Sequence, residues 1–355
     1  MANEDSQPHI RTAAGLALKN AFTSRDIATL REVQGRWTQQ VSPEIKAQVK
    51  DLALKTLASK DGRAAQSSAQ FIVSVAAIEL PRNEWPELMT TLVQNVASGS
   101  DQLKQASLTT IGFICESQDP ELRESLVAHS NAILTAVVQG ARREEPNMDV
   151  RNAAITALGD SVDFVRTNMD NEGERNYIMQ VVCEATQAED LRVQAGAFGC
   201  LNRIMGSYYE KMRFYMEKAL FGLSIMGMKS EEEDVAKLAV EFWCTVCEEE
   251  IAIEDDNAAV SHIITYIHTY RDRYGRPPKI LTLYMYRHKQ RALRKCGPSL
   301  ALLAWHAEKS SPFCWTACAS RMKMPGTMNT TFPALLTRLC SCTLSASRAM
   351  SCNPC

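Results

Sequence analysis

No window of eighteen residues in this 355-residue chain is continuously apolar, and no basic-then-apolar segment opens it. The first absence excludes a membrane-spanning helix and the second offers no secretory leader, so an intracellular protein is expected. The phosphate-cradling G-x-x-x-x-G-K-S/T, the dinucleotide fingerprint G-x-G-x-x-G, the nucleophile elbow G-x-S-x-G and the zinc helix H-E-x-x-H are all missing. Neither an enzyme nor a cofactor is therefore expected. Acidic residues are nearly absent from one end: residues 261–355 hold Asp272 and Glu308 against 14 Lys and Arg. Residues 1–260 hold 39 Asp and Glu against 25 Lys and Arg, a net charge of -14. Seven of the 12 cysteines (Cys296, Cys314, Cys318, Cys340, Cys342, Cys352 and Cys355) also fall in that second stretch. Two differently composed stretches thus meet near 260, and without a secretory signal a disulfide framework is not the favoured reading of the second.

What the first stretch does contain is helical periodicity. Within 171–201, Ile178, Val181, Val182 and Ala185 fall at i, i+3, i+4 and i+7, which lines one face of a helix with apolar side chains that must be buried. Asp190 is a good N-cap for a second helix in which Leu191, Ala195, Phe198, Leu201 and Met205 keep the period. The unit is a helical hairpin around a tight acidic turn.

The hairpin recurs. Second helices align on Arg11, Arg63, Lys104, Arg151, Arg192 and Ala236, at spacings of 52, 41, 47, 41 and 44 residues. First helices are visible at 43–58, 85–96, 131–141, 175–185 and 212–228. Two helices per period of this length are the signature of HEAT or armadillo units, and HEAT is favoured because armadillo units need a third, short helix. The expected fold is all-α, a right-handed HEAT-repeat α-solenoid in which each hairpin buries its apolar face against the next. The pairs Asp149/Arg151 and Asp190/Arg192 are read as capping aspartates whose basic partners reach a neighbouring turn, building a ladder along one edge.

Other residues that could bear chemistry have plainer readings. Cys244 and Cys247 form a C-x-x-C on one helix face with no second pair of ligands, and buried thiols are favoured over a metal site. Cys314, Cys318 and His306 make no ligand set of defined spacing. The acidic runs 231–234 and 248–250 fit a solvated edge. The basic run 271–295, with Tyr270, Tyr274, Tyr284 and Tyr286 interleaved, has the composition of a nucleic-acid patch, against which stands the reading that it is unstructured or not native sequence.

In the strings RTAAGLALKN, IELPRNEWPELM, QASLTTIGFICES, ERNYIMQVVCEATQAED, YYEKMRFYMEKALFGL and VEFWCTVCEEE, the chain from about 8 to about 258 resembles the importin-β (karyopherin-β) family of nuclear transport receptors, where they occur in the same order. The resemblance implies a receptor that docks phenylalanine-glycine (FG) repeats of nucleoporins between neighbouring first helices, binds the GTPase Ran, and carries cargo through an importin-α-type adaptor or directly as basic cargo. It implies work in the cytoplasm, the nucleus and the nuclear pore, with neither membrane nor nucleic acid as a partner. The family's FG pocket carries over to Leu134, Thr135 and Val138 on one first helix and to Glu174, Tyr177 and Ile178 on the next. Each trio lies on one helix face; Ile178 also fits an ordinary inter-helix core position. An acidic array also suits a basic partner through long-range attraction.

Against the family, about forty residues are missing before His9, so the helix at 10–18 lacks a terminal cap and Ran contacts are expected to be reduced. The later repeats, which hold the adaptor, are missing too. The expected organisation is a disordered N-terminus over 1–8, a HEAT domain over 9–260, and a disordered or irregular basic, cysteine-rich tail over 261–355. Read one nucleotide out of phase, Met328 and the eight residues after it can spell Asp-Glu-Tyr-Asn-Ile-Ser-Arg-Ala-Ala, a family-like string, which suggests that the tail is an out-of-frame readout. Two other functions fit the composition: a HEAT scaffold for a multi-subunit complex such as a phosphatase, and nucleic-acid binding through the tail.

Overall fold

The structure, a computed structural model, describes residues 1–274, without the side chains of residue 27 and of 254–274. Among the described residues every regular element is a helix. Second helices α1 (Pro8–Ala21), α4 (Gly62–Glu79), α6 (Asp101–Glu116), α9 (Met148–Ser161) and α12 (Leu191–Tyr208) pack each on the next. First helices α3 (Pro43–Thr56), α5 (Glu87–Ser98), α8 (Ser130–Ala141) and α11 (Glu172–Ala185) pair with α4, α6, α9 and α12, and α5, α8 and α11 also touch in sequence. This two-layered array is the HEAT-type solenoid the period demands. Among the described residues, 1–208 and 215–245 form one packed unit, and 209–214 with 246–274 belong to another.

The helices start where the chemistry supplies a cap. Asp26, Ser42, Asp61, Ser100, Asp119, Asn147 and Asn171 each accept a backbone N–H of the first turn, and proline opens α1, α3 and the short helix α7 (Pro120–Val127). Three helices have no counterpart in the sequence reading: α2 (Ile27–Gln40), α7 and α10 (Arg166–Asp170). Among the described side chains of α2 only Trp37 is buried and apolar, and α7 and α10 span 8 and 5 residues, too few for a periodic stripe to show. They occupy links between hairpins, so two long helices per repeat remain the rule.

Trp37 is the main buried anchor of α2. Trp37 lies edge-on to Phe22 at 5.1 Å and donates its indole N–H to Glu79 Oε1 at 2.9 Å. Glu79 is fully buried, and its other oxygen accepts from Lys50 Nζ of α3 at 2.8 Å. A buried carboxylate is tolerated only when paired in this way.

At the start of the chain, residues expected to be disordered are held instead. Arg11 is buried and donates to Glu4 at 2.7 and 2.9 Å, to the Met1 carbonyl at 2.9 Å and to Ser59 Oγ at 2.9 Å. A buried guanidinium needs a counter-charge, and Glu4 supplies it. Ile10, Leu16 and Leu18 of α1 face solvent.

The far end differs more. The 251–260 segment, read as an acidic loop ending the last helix, lies inside α15, which runs unbroken over Glu233–Tyr274. No glycine or proline occurs between Gly227 and Gly275, so nothing in the backbone stops the helix. The 260/261 boundary thus falls within α15, and the tail from 275 lies outside the described residues. Before α15, the first helix expected over 212–228 comprises α13 (Arg213–Tyr215), a π turn (Met216–Leu220) and α14 (Phe221–Met228).

Glycine lets α14 approach the array closely. A Cβ on Gly227 would run into the Phe198 ring and lie 2.9 Å from Ala239 Cβ. Gly227→Ala is expected to cost about 2 kcal/mol, overpacking outweighing the better helix propensity of alanine, read as a lowered urea midpoint.

Candidate functional site

The edge ladder forms, with altered rungs. Asp190 Oδ1 accepts the Arg192 backbone N–H at 2.8 Å, and the Arg192 guanidinium donates to Asp190 at 2.7 Å and to Asp149, across the repeat, at 2.8 Å. The hydrogen bond from Arg192 holds the Asp190 carboxyl below its ordinary range. Asp149, however, is not the α9 cap; Asn147 is, accepting from Asp149 N and Val150 N. Arg151 is not a rung either. It is buried, its Nη1 reaching Met148 Sδ at 3.7 Å while its Nε has no partner.

The second-helix layer carries a groove of about 310 Å³ between α9 and α12. Its two guanidiniums are already matched, Arg192 by Asp149 and Asp190 and Arg203 by Asp160. It therefore presents no surplus positive charge for a phosphate. Burial raises the Asp160 carboxyl, against the opposing pull of Arg203. Cys244 and Cys247 sit one turn apart on α15, both half-buried, and no group of three metal-ligating side chains occurs among the described residues.

The first-helix layer is where the sequence placed its six site residues. Asn131, Leu134, Thr135 and Val138 form one stripe of α8, and Glu174, Tyr177 and Ile178 one stripe of α11. The two helices pack directly on each other. Their side chains divide by depth. Ile178 is 2% exposed, Val138 5% and Leu134 9%, whereas Tyr177 is 45% exposed and Thr135 and Glu174 face solvent. An aromatic ring and two polar groups thus stand at a surface underlain by aliphatic side chains. Ile178 belongs to the packed layer, with Val182 and Ala185 on the same buried stripe.

Sequence reasoning missed the residue that ties the two helices. Asn168 of α10, itself buried, donates from Nδ2 to Asn131 Oδ1 of α8 at 2.8 Å and to Glu174 Oε2 of α11 at 2.6 Å. Asn171 caps α11 through Gly173 N and Glu174 N, so Glu174 stands in the first turn, where the helix dipole favours its charge. An asparagine in a five-residue helix sits on no periodic stripe, and nothing in the local sequence points to it.

No family model matches the chain. Over 254 residues it is 59% identical to importin subunit beta-1 of Schizosaccharomyces pombe and 50% identical to that of Saccharomyces cerevisiae, in each case 71% of this chain and 29% of the relative. Among solved structures it is similar to the Kap95:Nup1 complex (40% identity, TM-score 0.66, 89% of this chain and 39% of the other). It is likewise similar to Kap95p bound to RanGDP (37% identity, TM-score 0.67, 95% and 42%). The chain spans about 29% of the length of the curated relatives it matches. Over these 254 residues the chain is therefore similar to importin subunit beta-1 of two yeasts.

Proposed function

We propose that the chain acts as the pore-docking N-terminal part of an importin-β-type nuclear import receptor, a carrier and not an enzyme, working between cytoplasm, nuclear pore and nucleus. The observation that carries this reading is the division by depth on the packed α8–α11 pair: Tyr177, Thr135 and Glu174 are exposed, while Leu134 and Val138 are buried. Such a surface suits one phenylalanine ring held weakly, since an aromatic pair adds about 1 kcal/mol beyond area burial and many such contacts sum through multivalency. Ile178 forms the floor beneath. Homology to receptors solved with Nup1 and with RanGDP supports nucleoporins and Ran as partner classes. The net charge of -14 over 1–260 suits a basic adaptor helix or basic cargo. We assign the receptor role to residues 9–260, and none to 261–355.

The test is binding of the full chain to a fluorescent FG-repeat peptide and to its Ser-Gly counterpart. Binding of the first only is expected, and Tyr177→Ala should weaken it about fivefold to tenfold, the equivalent of about 1 to 1.4 kcal/mol, with an unchanged melting curve. A phosphatase-type scaffold would ignore both peptides.

A further inference from the structure

We propose that Asn168 is a positioning residue of the FG pocket, holding α8 and α11 at the spacing that admits a phenylalanine ring and fixing the Glu174 carboxylate at the pocket's end. This rests on the reading of the α8–α11 cleft as an FG site. Asn168 is 5% exposed and lies on the five-residue link that precedes α11. Its amide nitrogen meets two acceptors, Asn131 Oδ1 on the pocket stripe of α8 and Glu174 Oε2 on that of α11. Asn131 lies one turn before Leu134 and Thr135, and Glu174 one turn before Tyr177 and Ile178. The amide therefore closes the N-terminal end of the cleft between the two stripes.

Chemistry fixes the orientation of this amide. A carboxylate accepts only, so the side facing Glu174 must be the NH₂, and a flipped amide would set oxygen against oxygen. The contact to Glu174, 2.6 Å, is short, as expected for a charged acceptor. The cost appears on the other side of the group, where Asn168 Oδ1 is buried without a hydrogen-bond partner. An apolar side chain would fill this link without an orphaned oxygen, so it is the two donors that account for an amide here. Without them Glu174 is free to swing into solvent, and the end of the cleft opens.

The test is a double-mutant cycle on the full chain, read by affinity for the FG-repeat peptide, with thermal melting run on every variant. Asn168→Ala is expected to weaken binding about tenfold, the range for a lost hydrogen bond to a charged group. Asn168→Asp, which sets a carboxylate against Glu174, should weaken it at least as much. In the Glu174→Gln background the amide has moved across the contact, and there Asn168→Asp should change affinity by less than about threefold, because a donor again faces a carboxylate. A merely structural role for Asn168 predicts the same loss in both backgrounds, and that result overturns the proposal, as does unchanged binding by Asn168→Ala. Failure of the unmodified chain to bind overturns the pocket reading and this inference together, whereas binding by the unmodified chain with no effect of Asn168→Ala overturns this inference alone.

Discussion

Replacing Ile178 by aspartate is expected to unfold the middle of the array, not to remove one contact with a ligand. Ile178 is 2% exposed and lies on the α11 stripe that also buries Val181, Val182 and Ala185. The substitution removes about 2 to 4 kcal/mol of aliphatic burial and adds the cost of an unpaired carboxylate in an apolar layer. The combined loss should exceed about 4 kcal/mol, a value reached by few single substitutions. In thermal and urea melts followed by circular dichroism, the variant should show an early transition. Its loss of FG binding should track the loss of helix. Normal stability with selectively lost binding would move Ile178 from the floor of the pocket into its wall.

The second large effect concerns Lys50. Glu79 is fully buried between the Trp37 indole and the Lys50 ammonium, so Lys50→Met leaves a carboxylate with one neutral donor in a dry environment. Breaking a buried pair from one side costs about 3 to 5 kcal/mol. Because Glu79 also holds Trp37, the loss should appear first as faster amide exchange in α2. Removing both charges tells the pair apart from its surroundings: Lys50→Met with Glu79→Leu should recover most of the stability, since a hydrophobic replacement of a buried ion pair is often neutral or better. If the double variant is no more stable than Lys50→Met alone, packing around Lys50 is the cause, and the ion pair is not.

The array was legible because each long helix must bury a stripe, and the stripe repeats. Val181, Val182 and Phe198 announce their faces by spacing alone, and all three are buried. Elements without a stripe were not legible. α2 is held by Trp37 and a buried carboxylate 42 residues away, a long-range contact that no local pattern encodes. α7 and α10 are shorter than the window over which a period can be recognised. The end of the last helix was placed too early because acidic residues at 254–256 resemble a loop, whereas the backbone, lacking glycine and proline there, continues. In the site, periodicity and family resemblance together placed the two stripes on adjacent helices but could not assign depth, so the divide between exposed Tyr177 and buried Ile178 came only from packing. Asn168 was invisible for the same reason as α2, because its partners are 37 residues before it and 6 after it.

The measurement closest to the central claim is binding of the labelled full chain to nuclear envelopes in permeabilised cells. An importin-β-type receptor segment should produce a rim at the envelope that excess FG-repeat peptide abolishes, the Ser-Gly peptide leaves intact, and Tyr177→Ala dims. A diffuse signal, or a rim that FG peptide does not displace, would contradict the account.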